Sequence, residues 1–160
     1  MNKYILSVLV LNSSGVLSRI AGLFSRRGYN IDSLTVGPTE NKDFSRMTIT
    51  VRGDAKILEQ ITKQLNKLIE VIKIVQLNPE TSVCRELLLI RVKSSKTTRP
   101  EIMEIANIFR AKIIDVSNDS LLLELTGDRP KIDAFQNLLS EFTILEVVRT
   151  GIAGLERGHS

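Results

Sequence analysis

The chain has 160 residues, 42% of them apolar and 25% charged, with a formal net charge of +4. These are the proportions of an ordinary globular protein, too rich in Leu, Ile and Val for a disordered one and without the run of about 18 apolar residues that spans a bilayer. One cysteine (Cys84), one histidine (His159) and no tryptophan exclude an internal disulfide, a multi-cysteine metal site and a histidine-based triad, and leave little for base stacking.

Lys3 and the apolar run Tyr4–Leu11 loosely resemble a signal peptide. Ser7 interrupts the run and no small-residue cleavage site follows, so a buried strand explains it better. The turn cluster Asn12-Ser13-Ser14-Gly15 follows, then a helical stripe of Val16, Ile20, Leu23 and Phe24. Arg26 and Arg27 favour its C-terminal dipole, and Gly28 is the stop. Residues 30–36 read as a strand, and Gly37-Pro38 opens a polar loop to Asp43. Met47, Ile49 and Val51 alternate with polar residues, as in a half-buried strand. After Gly53-Asp54, Ile57, Ile61, Leu65 and Leu68 mark a second helix, and Val71–Leu77 a fourth strand. The order is β-α-β-β-α-β.

The order then repeats. Glu86–Val92 reads as a strand, and Thr98 with Pro100 starts a helix carrying Ile102, Ile105, Ala106 and Phe109. Ile113–Val116 and Leu121–Leu125 are strands flanking Asn118-Asp119. Ile132, Phe135, Leu138 and Leu139 define a helix from about Pro130, and Ile144–Val148 closes the set. The expected fold is α+β, with two tandem ferredoxin-like βαββαβ domains: 1–77, a linker at 78–83, and 84–160. Residues 1–78 hold 11 Lys/Arg against 6 Asp/Glu, and residues 79–160 hold 11 against 12. The basic excess thus lies in the first unit. Each unit is small and leaves sheet surface to cover, for which dimerisation is the usual remedy.

Catalytic signatures are missing. Cys84 has no histidine partner, no serine sits in a G-x-S-x-G context, and neither phosphate-binding glycine loop occurs. RNA-recognition modules share the βαββαβ order, but here the central strands offer only Tyr4, at an end, as a stacking aromatic. The informative segment is 12–15. A strand-to-helix turn with Gly15 can present free N–H groups to a carboxylate or phosphate, with Asn12 as an added donor and acceptor; an ordinary N-cap by Ser13 or Ser14 needs only these same residue types and is the simpler reading. Asn30 can be a turn residue. Gly22, costly inside a helix, implies a close packing contact within the fold or across a dimer.

The run NSSGVLSRIAGLFSRRGYNIDSLTVGPTE at 12–40 strongly resembles the ACT domain of acetolactate synthase small subunits. SRMTITVRGD at 45–54, EQITKQLNKLIEVIKI at 59–74, FRAKIIDV at 109–116, DAF at 133–135 and ILEVVRTGIAGLERG at 144–158 continue the likeness over essentially the whole chain.

This resemblance implies an N-terminal ACT domain and a C-terminal ACT-like domain in a regulatory subunit that is not itself an enzyme. Such a subunit activates a large catalytic partner and confers feedback inhibition by valine in valine, isoleucine and leucine biosynthesis. Thiamine diphosphate, magnesium and FAD are expected in that partner and none in this chain. Neither nucleic acid nor membrane is an expected partner. The resemblance implies a homodimer through the ACT domains, with valine between them. Asn12 and Gly15 then belong to the effector loop, and Ser14, Val16, Leu17 and Ser18 line the helix start. Asn30 and Ile31 lie across the interface, with Leu34 and Gly37 nearby. Residues 94–100 lack the Asn-x-x-Gly spacing, so no second valine site is expected there. The implied compartment is bacterial cytoplasm, or plastid stroma for an organelle-encoded chain. The competing expectation is a free-standing amino-acid-sensing ACT protein that regulates another enzyme.

Overall fold

Two sheets, each with a pair of helices on one face, organise the chain in a computed structural model that describes residues 2–158. His159 lies outside the described residues. The first unit runs β1 (Asn2–Leu11), α1 (Val16–Arg27), β2 (Asn30–Pro38), β3 (Phe44–Gly53), α2 (Ala55–Asn66) and β4 (Val71–Leu77). The second runs β5 (Ser82–Lys93), α3 (Arg99–Phe109), β6 (Lys112–Val116), β7 (Ser120–Gly127), α4 (Arg129–Leu139) and β8 (Ile144–Arg149). A further short strand, β9 (Ala153–Glu156), follows.

The first sheet has the order β2-β3-β1-β4; the second has β6-β7-β5-β8, with β9 paired to β5 off that path. Both central pairs are antiparallel, as the α+β expectation requires. In each unit the chain's alternation explains which face is buried. Leu6, Val8 and Val10 of β1 pack with Met47, Ile49 and Val51 of β3 against Ile20, Phe24, Ile61 and Leu65 of the helices. Leu88, Ile90 and Val92 do the same with Leu121, Leu123, Ile102 and Phe135.

Local chemistry sets the helix ends. Asp54 accepts from the Ile57 N–H at 2.8 Å and Asp128 from the Lys131 N–H at 3.1 Å, the usual N-cap arrangement. Gly28 ends α1 in the left-handed region, with Arg26 and Arg27 in the last turn. Arg110 takes the same role after α3 at φ 60°, the one non-glycine residue with positive φ among those described. α2 stops at Asn66, so Leu68 packs on the core from the following turn rather than from the helix. Leu138, expected in the stripe of α4, is 41% exposed; the buried stripe is Ile132, Phe135 and Leu139, spaced three and four residues apart.

The segment from Ile152 groups with the described residues through Val83, and 84–151 form the other compact unit. Ile152 is buried, and its carbonyl accepts from the Thr35 hydroxyl at 3.2 Å. Gly154 N–H donates to Thr48 Oγ1 at 3.4 Å, and Arg157 N–H to the Thr81 carbonyl at 2.8 Å. β9 therefore lies on the first sheet's face opposite α1 and α2, because Thr35 and Thr48 pair directly in register and point away from the core. Sequence patterning placed 152–160 with the second unit and no strand there.

Candidate functional site

The turn between β1 and α1 is held from below by its neighbour loop. Asn12 donates its backbone N–H to the Asp43 carbonyl at 2.8 Å and its side-chain amide to the Lys42 carbonyl at 3.1 Å. That grip fixes the path into Gly15, which takes φ 87°, ψ −7° and is itself the N-cap. A Cβ at Gly15 would meet nothing within 4 Å, so the glycine is required by its backbone conformation and not by space inside the chain.

Neither Ser13 nor Ser14 caps α1, although either residue type could. No side chain accepts from the first turn, and no acidic residue lies in it. The Val16 N–H has only a long 3.5 Å contact to the Ser13 carbonyl. By contrast, the first turns of α2 and α4 are closed by aspartates. The start of α1 thus keeps the positive end of its dipole and its N–H groups available at the surface.

Around it, Ser14, Leu17 and Ser18 are exposed, with Leu17 at 47%, while Val16 is buried and anchors the turn to the core. Arg19 forms an ion pair with Glu70, steadying the first turn against the start of β4. Gly22 has no close backbone neighbour: a Cβ there would meet only the Arg26 guanidinium at 3.3 Å. Among the described residues the one tight neighbour is the end of a flexible side chain, and no backbone from another element closes on Gly22.

The other expected residues lie elsewhere in the same unit. Asn30 is exposed at the start of β2 and pairs in register with Arg52, whereas Pro38 at the far end pairs with Ser45. Leu11 pairs with Phe44, so the 12–15 turn sits at the Pro38 end. Eight strand steps, about 26 Å, separate the two ends. One chain thus brings Asn12, Ser14, Gly15, Val16, Leu17 and Ser18 together and holds Asn30 apart from them. Ile31 and Leu34 are half-buried against the helix side of the core, Val36 follows at 48% exposure, and Gly37 is beside Arg46. β2 is an edge strand, so its outer backbone groups are unpaired in the single chain.

A charged group that sequence patterning did not single out lies at the Asn30 end. β2 bulges between Ile31 and Ser33, and Asp32 is the extra residue. Its carboxylate accepts from Arg52 at 3.1 Å and pairs with Lys3 at 3.3 Å. Burial pushes this carboxyl up, but the hydrogen bonds from Arg52 and Lys3 outweigh it and hold it below the usual carboxylate range. A bulge cannot be read from composition, which is why the triad was missed.

The matching turn of the second unit is built differently. Thr98 Oγ1 accepts from the Ser95 N–H at 2.8 Å, and Arg99 donates to the Ser117 and Asn118 carbonyls at 2.8 and 3.2 Å. Ser95 and Thr98 are thus tied to each other and Arg99 to the neighbouring loop, while Ser94 Oγ and Arg99 Nε are buried without a partner. At Cys84, burial pushes the thiol up and Arg85 only partly opposes it, the reverse of what activates a nucleophile. Among the described residues no group of His, Cys, Asp and Glu could hold a metal ion, and no helix is long and apolar enough to cross a membrane.

The ferredoxin-like βαββαβ unit is shared by several classes of protein, and its match to a family model makes this an ACT-domain protein. Residues 6–73 match the model of the acetolactate (acetohydroxyacid) synthase small-subunit-like ACT domain, and residues 85–158 match that of the small subunit of acetolactate synthase. The chain belongs to the acetolactate synthase small-subunit family. It is 55% identical to a probable acetolactate synthase small subunit of Archaeoglobus fulgidus, over 98% of each chain. It is 54% identical to the acetolactate synthase small subunit of Mycolicibacterium smegmatis, over 96% of this chain and 90% of that one. The crystal structure of the acetolactate synthase small subunit from Thermotoga maritima superposes with a TM-score of 0.92 at 44% identity, covering both chains fully.

Proposed function

We propose that this chain is the regulatory subunit of an acetolactate synthase. In this reading it raises the activity of the large, thiamine-diphosphate-dependent catalytic subunit and makes it sensitive to valine, so that branched-chain amino-acid synthesis is limited by its product. Thiamine diphosphate, magnesium and FAD stay with the catalytic subunit. The relatives come from archaea and bacteria, which supports a cytoplasmic place of action over a plastid one.

One observation carries the effector part: the uncapped Gly15 turn and Asn30 occupy opposite ends of the same edge strand. A two-fold axis that pairs two β2 strands antiparallel brings each Asn30 to its partner's Pro38 end, where the 12–18 turn lies. Two identical half-sites are thereby completed at once. The α1 N–H groups suit the carboxylate of an amino acid, and Asn oxygens suit its ammonium. Leu17, Leu34 and Ile31 supply an apolar wall, against which a buried isopropyl group contributes about 1.5–3 kcal/mol. The same pairing covers Val36 and brings the open flank of Gly22 toward the partner. Valine regulates only by binding two states of the holoenzyme unequally.

The test is reconstitution of acetolactate synthesis with a catalytic subunit, with and without valine, beside calorimetry of valine with the full chain. Activation, valine inhibition and heat of binding are expected. Gly15→Asp strains the turn and sets a negative charge where the effector carboxylate sits; its complex is expected to stay active and resist valine. No activation of any acetolactate synthase catalytic chain overturns the regulatory reading. Full valine inhibition of the Gly15→Asp complex overturns the site.

A further inference from the structure

The first sheet's outer face, away from α1 and α2, carries a second arrangement. In register, Arg46 of β3, Leu9 of β1 and Lys73 of β4 form one row across three strands. The next row is Thr48, Ser7 and Val75. With strands about 4.8 Å apart, the two cations stand roughly 10 Å apart at the backbone, on either side of a leucine. Arg46 Nη1 donates to Ser7 Oγ at 3.0 Å, and Ser7 is buried, so the guanidinium is drawn in over the sheet. Neither cation forms an ion pair with a described carboxylate.

β9 crosses this face and turns an open surface into a cleft of about 270 Å³. Leu155 and Glu156 form its upper wall, and Val75 and Leu77 extend its floor. This volume is below that of sites for drug-sized ligands. The cleft offers a guanidinium anchored on Ser7, an exposed ammonium, an apolar floor, and one carboxylate at the rim.

We propose that this cleft binds a small carboxylate with a short apolar body, independently of the 12–18 turn. The carboxylate lies between Arg46 and Lys73, since a guanidinium with free N–H groups takes it in two parallel bonds and the ammonium supplies a point charge. The apolar body lies on Leu9 and Val75 and covers Leu155, which is 59% exposed. Glu156 faces any ammonium the ligand carries, so a simple carboxylate and an amino acid share the same anchor.

Amide chemical shifts of the full chain, titrated with isovalerate, L-leucine and 3-methylbutylamine, test this. Isovalerate or leucine is expected to shift Ser7, Leu9 and Leu155, and the amine is not. Arg46→Gln and Lys73→Gln are each expected to weaken binding about tenfold, the loss of one charge-assisted contact. Lys73 is exposed on an edge strand, so its variant carries the test if Arg46→Gln does not fold. Leucine binding tighter than isovalerate, with the difference lost in Glu156→Gln, identifies the amino acid; equal binding identifies the simple carboxylate. Unshifted Ser7, Leu9 and Leu155 at tens of millimolar ligand, unchanged binding in folded Lys73→Gln, or equal binding of the amine overturns the proposal.

Discussion

Arg149 on β8 reaches the carboxylate of Glu86 on β5, 63 residues away in the chain, and is the buried Glu86's charge partner. The guanidinium also donates to Asp133 at 2.8 Å and Gln136 at 3.3 Å on α4, so one side chain ties two strands to a helix. The hydrogen bond with Glu86 outweighs burial and raises the Arg149 pKa, keeping the group charged. Arg149→Met leaves a buried carboxylate without its partner and is expected to cost about 3 kcal/mol. Glu86→Leu in the same chain is expected to recover most of it. Urea unfolding of the single and double variants checks both; a single variant as stable as the parent contradicts the pairing.

Asp32 makes stability depend on acid. Its folded pKa lies below the unfolded value, so its contribution is full above about pH 4 and fades as pH falls through the folded value. Asp32→Asn is expected to cost about 0.5–1 kcal/mol at neutral pH, the scale of a solvent-screened pair. That cost is expected to vanish in acid. Thermal unfolding at a series of pH values reads it, and a cost independent of pH contradicts the assignment.

Arg110 holds the left-handed cap after α3 at φ 60°. A side chain there costs about 1–2 kcal/mol in backbone energy, offset in part by the larger unfolded-state entropy of glycine. Arg110→Gly is therefore expected to gain about 0.5–1 kcal/mol. A lower denaturation midpoint in the variant would show that the arginine side chain contributes more than its backbone strain removes.

The hydroxyls of Thr35 and Thr48 hold β9 on the first sheet. Replacing both with valine removes two hydrogen bonds worth about 1 kcal/mol each. Hydrogen exchange at Gly154 and Arg157 is expected to quicken, with exchange at Ile49 and Val51 unchanged. Equal protection in the variant means that burial of Ile152 and the backbone pairing of β9 with β5 suffice without the two hydroxyls.

Regular patterning carried most of the fold. Leu6-Val8-Val10 and Leu88-Ile90-Val92 alternate because one sheet face meets helices, and such alternation is visible in one dimension. The turn at 12–15 was legible as a ligand-facing or capping turn, but not as one capped by glycine. Ser13 and Ser14 are good caps by type, but Asn12's tie to Lys42 and Asp43 and the burial of Val16 set a path that leaves Gly15 as the cap. The distance between Asn30 and Gly15 follows from strand register, as does the row Arg46-Leu9-Lys73, and register is a property of pairs of segments. β9 escaped notice because Ala153 and Gly154 add almost no apolar signal to Leu155.

The crossing of β9 over the first sheet has a consequence for how the chain is made. Residues 84–151 are, in chain terms, an insertion between two pieces of one unit. A ribosome that has released β1 to β4 has released a sheet whose Thr35 and Thr48 hydroxyls still face water. Its outer surface closes only after the whole inserted unit has emerged and Ile152 can return. Division of the chain at the linker would leave the first sheet without the strand that covers its outer face.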